Sequence, residues 1–138
     1  MADYTVTPAN VKISGSNVRV VTVQAGEAVT EGAALYLDDA TSKYMLADAT
    51  DEDKAAVVGI AITSADSDDY LLMQTSRNYF AGTTLVVGDP VFLSATAGGG
   101  KLCPHADLVS TNFVTLIGFA SSTTEIELNL DPTEIERV

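Results

Sequence analysis

The chain has no tryptophan, one cysteine, one histidine, four prolines and seven lysine or arginine residues in 138. Each shortage removes a class of explanation. The single cysteine, Cys103, excludes an intrachain disulfide framework and fits a reducing compartment. The single histidine, His105, means that any Ser-His-Asp or Cys-His arrangement has to pass through it. Only Pro104 separates Cys103 from His105, a spacing that does not by itself set nucleophile against base. As zinc ligands the two fall short of the usual four. No Gly-x-Ser-x-Gly elbow is present. With no Trp, 5 Tyr and 4 Phe, the aromatic walls of a sugar cleft flanked by paired carboxylates are scarce.

Basic charge is also scarce. Lys12, Arg19, Lys43, Lys54, Arg77, Lys101 and Arg137 stand singly against 19 acids, for a net charge of −12. Phosphate recognition needs clustered cations, so neither nucleic acid nor an anionic membrane is an expected partner. No apolar run approaches the roughly 18 residues that span a bilayer. Residues 1–8 show no basic region followed by an apolar stretch, so no signal peptide is expected. At 46% hydrophobic, the composition is too apolar for a disordered acidic chain. One acidic, folded, soluble domain is expected.

Two motifs fail on inspection. Gly98-Gly99-Gly100-Lys101 has Ala95 and Leu102 where a phosphate loop needs Gly and Ser/Thr, and reads instead as a flexible hairpin tip. The acidic clusters 48–53 and 66–69 lack EF-hand spacing and read as solvated loops. No catalytic residue, metal site or cofactor is expected.

What is present favours strands. The chain holds 15 Val and 16 Thr, whose branching suits a pleated surface. Short apolar runs bounded by turn residues occur at 18–23, 34–37, 57–62, 70–74, 90–93, 114–119 and 125–130. In the last, Ile126, Leu128 and Leu130 alternate with Glu125, Glu127 and Asn129, the pattern of a sheet with one wet face. A helical turn or two is expected only at 50–56, with Thr50 as its N-cap.

The chain also echoes itself. Ala25-Gly26, Val29, Gly32 and Leu35-Tyr36-Leu37 recur as Ala81-Gly82, Leu85, Gly88 and Val91-Phe92-Leu93, offset by 81 − 25 = 56. Val58-Gly59-Ile60-Ala61 recurs as Ile117-Gly118-Phe119-Ala120, offset by 118 − 59 = 59. The pattern predicts a mainly-β, pseudo-symmetric barrel or sandwich of β-tulip type, built from two similar units. A single domain is expected, with an N-terminal arm (1–17), a first unit (18–80), a second unit (81–130) and a C-terminal tail (131–138).

Contact surfaces are the remaining functional candidates. Tyr4, Thr5, Val6 and Thr7 alternate like a spare strand, which could pair with a neighbour's sheet edge or close the chain's own sheet. Arg77, Asn78, Tyr79 and Phe80 bridge the two units and combine an arginine with two aromatics, types enriched in interface cores. They read either as contacts or as packing between the halves.

The run from Ala25-Gly26 through Leu35-Tyr36-Leu37, Tyr44 to Ala49 and Lys54 to Ala61, with its echo at Gly88 to Gly99 and Ile117 to Ala120, resembles the capsid decoration (cement) proteins of tailed phages. It is distantly similar to the lambda-like head decoration family. The resemblance covers roughly Val18 to Leu130 and transfers no catalytic residue. It implies a compact homotrimer, made in the bacterial cytoplasm, that sits on the outside of the virion head and bridges major capsid protein subunits. In lambda-like members the N-terminal arm contacts the shell, and residues 2–8 are the matching segment. The alternatives are a loop-presenting β module that binds a ligand or host glycan and, ranked last, an enzyme using Asp/Glu pairs. The acids are unevenly spread: 11 of the 19 fall between Glu27 and Asp69, and four between Ala81 and Leu130. The acidic loops are therefore expected to face solvent, and the more neutral half and the termini to face protein.

Overall fold

The computed structural model describes residues 3–96, 98–108 and 112–136. In chain order its strands are β1 (Val11–Ile13), β2 (Val20–Gln24), β3 (Ala34–Asp38), β4 (Lys43–Leu46), β5 (Val57–Ala61), β6 (Tyr70–Gln74), β7 (Arg77–Ala81), β8 (Pro90–Leu93), β9 (Leu102–Pro104), β10 (Phe113–Ala120) and β11 (Glu125–Glu136). Short 3-10 turns cover Pro8–Asn10 and His105–Asp107. The strand pattern follows the sequence alternation; Ile126 and Leu128 point into the core while Glu127 and Asn129 are exposed.

The strands form two antiparallel sheets, β2-β6-β5-β3-β4 and β1-β7-β11-β10-β8-β9. With β1 set aside, the two orders are the same when β2 to β6 are placed on β7 to β11. The match extends to single bonds. Gly32 N–H donates to the Ala61 carbonyl and Gly88 N–H to the Ala120 carbonyl, both at 2.8 Å. Ala61 N–H returns to Ala33 and Ala120 N–H to Asp89, both at 2.9 Å. Each unit also carries a bulge at the same place. Leu35 pairs with Gly59 and Tyr36 with Val57, skipping Val58; Val91 pairs with Gly118 and Phe92 with Leu116, skipping Ile117. The internal echo is thus a repeated supersecondary unit. Its second copy takes in β7, the segment read from sequence as a bridge, and β11 runs past residue 130 to Glu136.

One alternative is settled and one expectation is corrected. The sheets do not close into a barrel: the edges of the five-stranded sheet meet only at a single parallel bridge, Ala25 to Tyr44, and do not form a ladder. The segment 50–56 forms turns and no helix. Asp48 Oδ1 accepts from the Thr50 N–H at 2.9 Å and Asp51 Oδ1 from the Asp53 N–H at 2.9 Å, so the side chains compete with helical backbone bonding. Only the Ala55 N–H reaches back one helical turn, to Asp51 at 2.9 Å, before Val57 enters β5.

The main core lies between the sheets and joins Tyr36, Val57 and Ile60 of the first unit to Tyr79, Val91, Leu93, Ile117 and Ile126 of the second. A smaller core on the other side of the five-stranded sheet contains Val23, Val29, Leu35, Leu71 and Met73. Buried polar bonds also cross between the units. Thr115 Oγ1 donates to the Ala55 carbonyl at 2.5 Å, and the Phe113 N–H donates to Ala49 at 2.8 Å. The main core is completed only by residues of both units, which fits one cooperative domain.

Candidate interaction surfaces

The N-terminal arm lies along its own chain. Met1 and Ala2 fall outside the described residues, and residues 3–7 are extended without joining a ladder. The Tyr4 N–H donates to Leu102 of β9 at 3.0 Å, and the Thr7 N–H to Gly82, just after β7, at 2.7 Å. Ser94 Oγ donates to the Asp3 carboxylate at 2.6 Å. The alternation read from sequence is kept: Tyr4 and Val6 pack on the main core, and Thr5 and Thr7 are exposed. Val6 fills the space beside Gly32, where a β-carbon would come within 3.0 Å of it. The arm thus links the β9 edge to the β7 end of the six-stranded sheet.

The second predicted cluster divides. Arg77 is exposed, with φ at +70°. Asn78 Nδ2 donates to Ser121 Oγ at 3.2 Å. Tyr79 is fully buried, its hydroxyl has no hydrogen-bond partner among the described residues, and burial pushes its pKa up. It packs within the chain and offers no contact surface. Phe80 is half-buried, with the Lys12 ammonium 5.2 Å from its ring centre.

The fold brings Thr5, Thr7 and Phe80 into one open groove of about 670 Å³, together with Lys12, Asn10, Thr83, Thr84 and Thr124. Among the described residues no carboxylate lines it. A second groove of about 610 Å³ lies on the other side of the arm, between Tyr4, Val6, Glu31 and the 98–101 turn. That turn is not a free hairpin tip. Gly100 N–H donates to Ala47 at 2.7 Å and its carbonyl accepts from Ala34 at 3.0 Å, so the second unit grips the edge of the first. A β-carbon on Gly99 would lie 2.9 Å from Leu46, and Gly100 has φ of +72°, so the grip needs these glycines.

The chemically reactive side chains are occupied elsewhere. Cys103 is buried, its thiol faces the Leu93 carbonyl at 3.8 Å, and burial, with Asp3 and Asp107 nearby, pushes its pKa up to about 12. His105 is exposed and its ring tilts against Phe92 at 5.8 Å. Asp48 and Asp51 cap their own turns, and Asp68 pairs with Lys43 at 2.5 Å. Among the described residues no group of three or more His, Cys, Asp or Glu side chains converges as a metal-ligand set. Asp39, Asp51, Glu52, Asp53, Asp66, Asp68 and Asp69 of the first unit are all exposed.

Sequence reading passed over one surface. On the second unit, Val86, Val87 and Phe119 are exposed, and Gly88 ties their turn to Ala120, the neighbour of Phe119. The signal lay in the repeat itself: at the 56-residue offset Val86-Val87 replaces Thr30-Glu31. No family model, curated protein or solved structure matches the chain.

Proposed function

We propose that the chain is a structural virion protein that binds the outer surface of a phage head as a homotrimer and reinforces contacts between major capsid protein subunits. One observation carries this reading: in a chain of net charge −12, the groove that gathers Thr5, Thr7 and Phe80 is lined, among the described residues, without a carboxylate. An acid-free groove beside the arm suits a protein partner, because desolvating unpaired carboxylates would oppose docking. The exposed acids of the first unit then sit on the solvent side, where they keep a decorated particle dispersed. The resemblance to phage decoration proteins supports the same assignment.

The reading is tested by titrating the protein onto expanded empty heads built from its cognate major capsid protein. Saturable binding is expected, weakened by Phe80→Asp or Lys12→Glu and unaffected by Asp51→Asn. Absence of saturable binding by the unaltered chain overturns it. A second reading, a loop-presenting β module for a ligand or host glycan, draws on the 610 Å³ groove beside Lys101. Specific glycan binding without head affinity would favour it.

A further inference from the structure

The repeat exposes an imbalance between two sheet edges. At β2 the Ala25 N–H donates to Asp69 at 2.8 Å and the Thr75 N–H donates to Arg19 at 3.1 Å, so the odd-numbered residues here bond toward β6. Val20, Thr22, Gln24 and Gly26 turn their N–H and C=O groups the other way, by the alternation of an antiparallel pair. At the 56-residue offset the matching second-unit positions are Ser76, Asn78, Phe80 and Gly82. There residues 7–14 cover the edge. The Thr7 N–H donates to Gly82 at 2.7 Å, Lys12 pairs with Phe80, and the Ser14 N–H donates to Asn78 at 3.4 Å. In the first unit the Gly26 end is covered, its N–H donating to Tyr44 at 2.9 Å. Among the described residues no strand lies beyond β2, and the outward groups of Val20 and Thr22 have no partner.

We infer that the free edge of β2 accepts an extended, basic and apolar segment of a partner protein as an added antiparallel strand, as β7 accepts β1. β1 shows what such a segment carries. Lys12 lies beside Phe80, the counterpart of Gln24, and Ile13 beside Tyr79, the counterpart of Val23. On β2 a cation beside Gln24 meets complementary charge. The Gln24 side chain donates to the Asp68 carbonyl at 2.9 Å, which places the exposed Asp68 and Asp69 at that end of the edge. Apolar residues beside Val23 and Val21 would extend the smaller core, to which both belong. The other face of the sheet supports the same partner. Tyr70 and Leu72, opposite Gln24 and Thr22, are 66% and 39% exposed. The matching residues of β11, opposite Phe80 and Asn78, are Glu125 and Glu127. Apolar side chains thus stand beside the open edge and carboxylates beside the covered one. The inference rests on the internal repeat and names a surface other than the groove at Phe80.

The test is amide hydrogen exchange of the full chain, read by nuclear magnetic resonance, during titration with a blocked Val-Lys-Ile-Thr-Val peptide and with its Val-Glu-Ile-Thr-Val counterpart. In the free chain the Thr22 N–H is expected to exchange faster than those of Val21 and Val23, which bond to β6. The lysine peptide is expected to bind saturably and, at saturation, to slow Thr22 exchange at least about tenfold, the glutamate peptide binding more weakly. Thr22→Pro removes the outward N–H and no bond to β6, so it should abolish binding with an unchanged circular dichroism spectrum. Tyr70→Ser, at an exposed position, should weaken binding at least about threefold and stands in if the proline variant fails to fold. Absence of saturable binding overturns the inference; so does binding that leaves Thr22 exchange unchanged, or equal binding of the two peptides. Self-association of the chain that Thr22→Pro abolishes assigns the edge to a second copy and overturns it as well. No heads enter the assay, so its result is independent of the capsid reading.

Discussion

Gly32 and Gly88 hold the same backbone state, φ of +89° and +88°, and donate to equivalent alanines, Ala61 and Ala120, at 2.8 Å. They differ in what surrounds them. Gly88 faces open space, whereas a β-carbon at Gly32 would come within 3.0 Å of Val6 and 3.1 Å of Val11. The first-unit turn is pressed beneath the arm and its second-unit counterpart is bare. Gly88→Ala should cost about 1–2 kcal/mol, the penalty of a left-handed L-residue. Gly32→Ala should cost more, and Val6→Ala in the same chain should recover part of the difference. Urea unfolding of the three variants checks the order.

The bulge glycines are also unequal. A β-carbon on Gly118 would lie 2.1 Å from the Glu127 carbonyl oxygen, and backbone cannot step aside. At Gly59 the nearest atoms, at 2.5 and 2.7 Å, belong to the flexible Met73 side chain, and the Gln74 carbonyl oxygen stands further off at 2.9 Å. Gly118→Ala should therefore destabilise by about 3 kcal/mol or more, and Gly59→Ala by less, as overpacking against movable and immovable neighbours differs. Thermal and urea midpoints measure both.

Thr115→Val keeps the shape of the side chain but removes its 2.5 Å bond to Ala55, which crosses between the units. A loss of about 1–2 kcal/mol is expected, with the unfolding transition remaining single. Two separate transitions would show that the units fold independently.

Stability should fall in alkali. The Cys103 thiol rises from its ordinary 9.0 to about 12, so between those values the unfolded chain releases a proton that the folded chain retains. Stability is fully present below pH 9.0 and declines as pH rises toward about 12. Buried Tyr79 adds to the decline above its ordinary 10.0. Cys103→Ala should flatten the slope just above pH 9.0, read from urea midpoints across the pH series.

Much of the fold was legible because local pattern and fold agree. The alternation at Ile126 and Leu128 and the offset between Gly32 and Gly88 both record backbone geometry directly. The three-residue strands β1 and β9 were not legible, since each is too short to show a period and β9 ends in Pro104. Nor does sequence reveal which side of a strand the other unit covers. Tyr79 resembles an interface aromatic and is core, while Phe119 resembles core and is exposed. That distinction arises only when the two units pack.

If the groove that gathers Thr5, Thr7 and Phe80 holds a shell together, as we propose, the thermal disruption of expanded heads should differ with and without the protein. A higher disruption temperature is expected at saturating protein, lost with Phe80→Asp. An unchanged disruption temperature at saturation would contradict it.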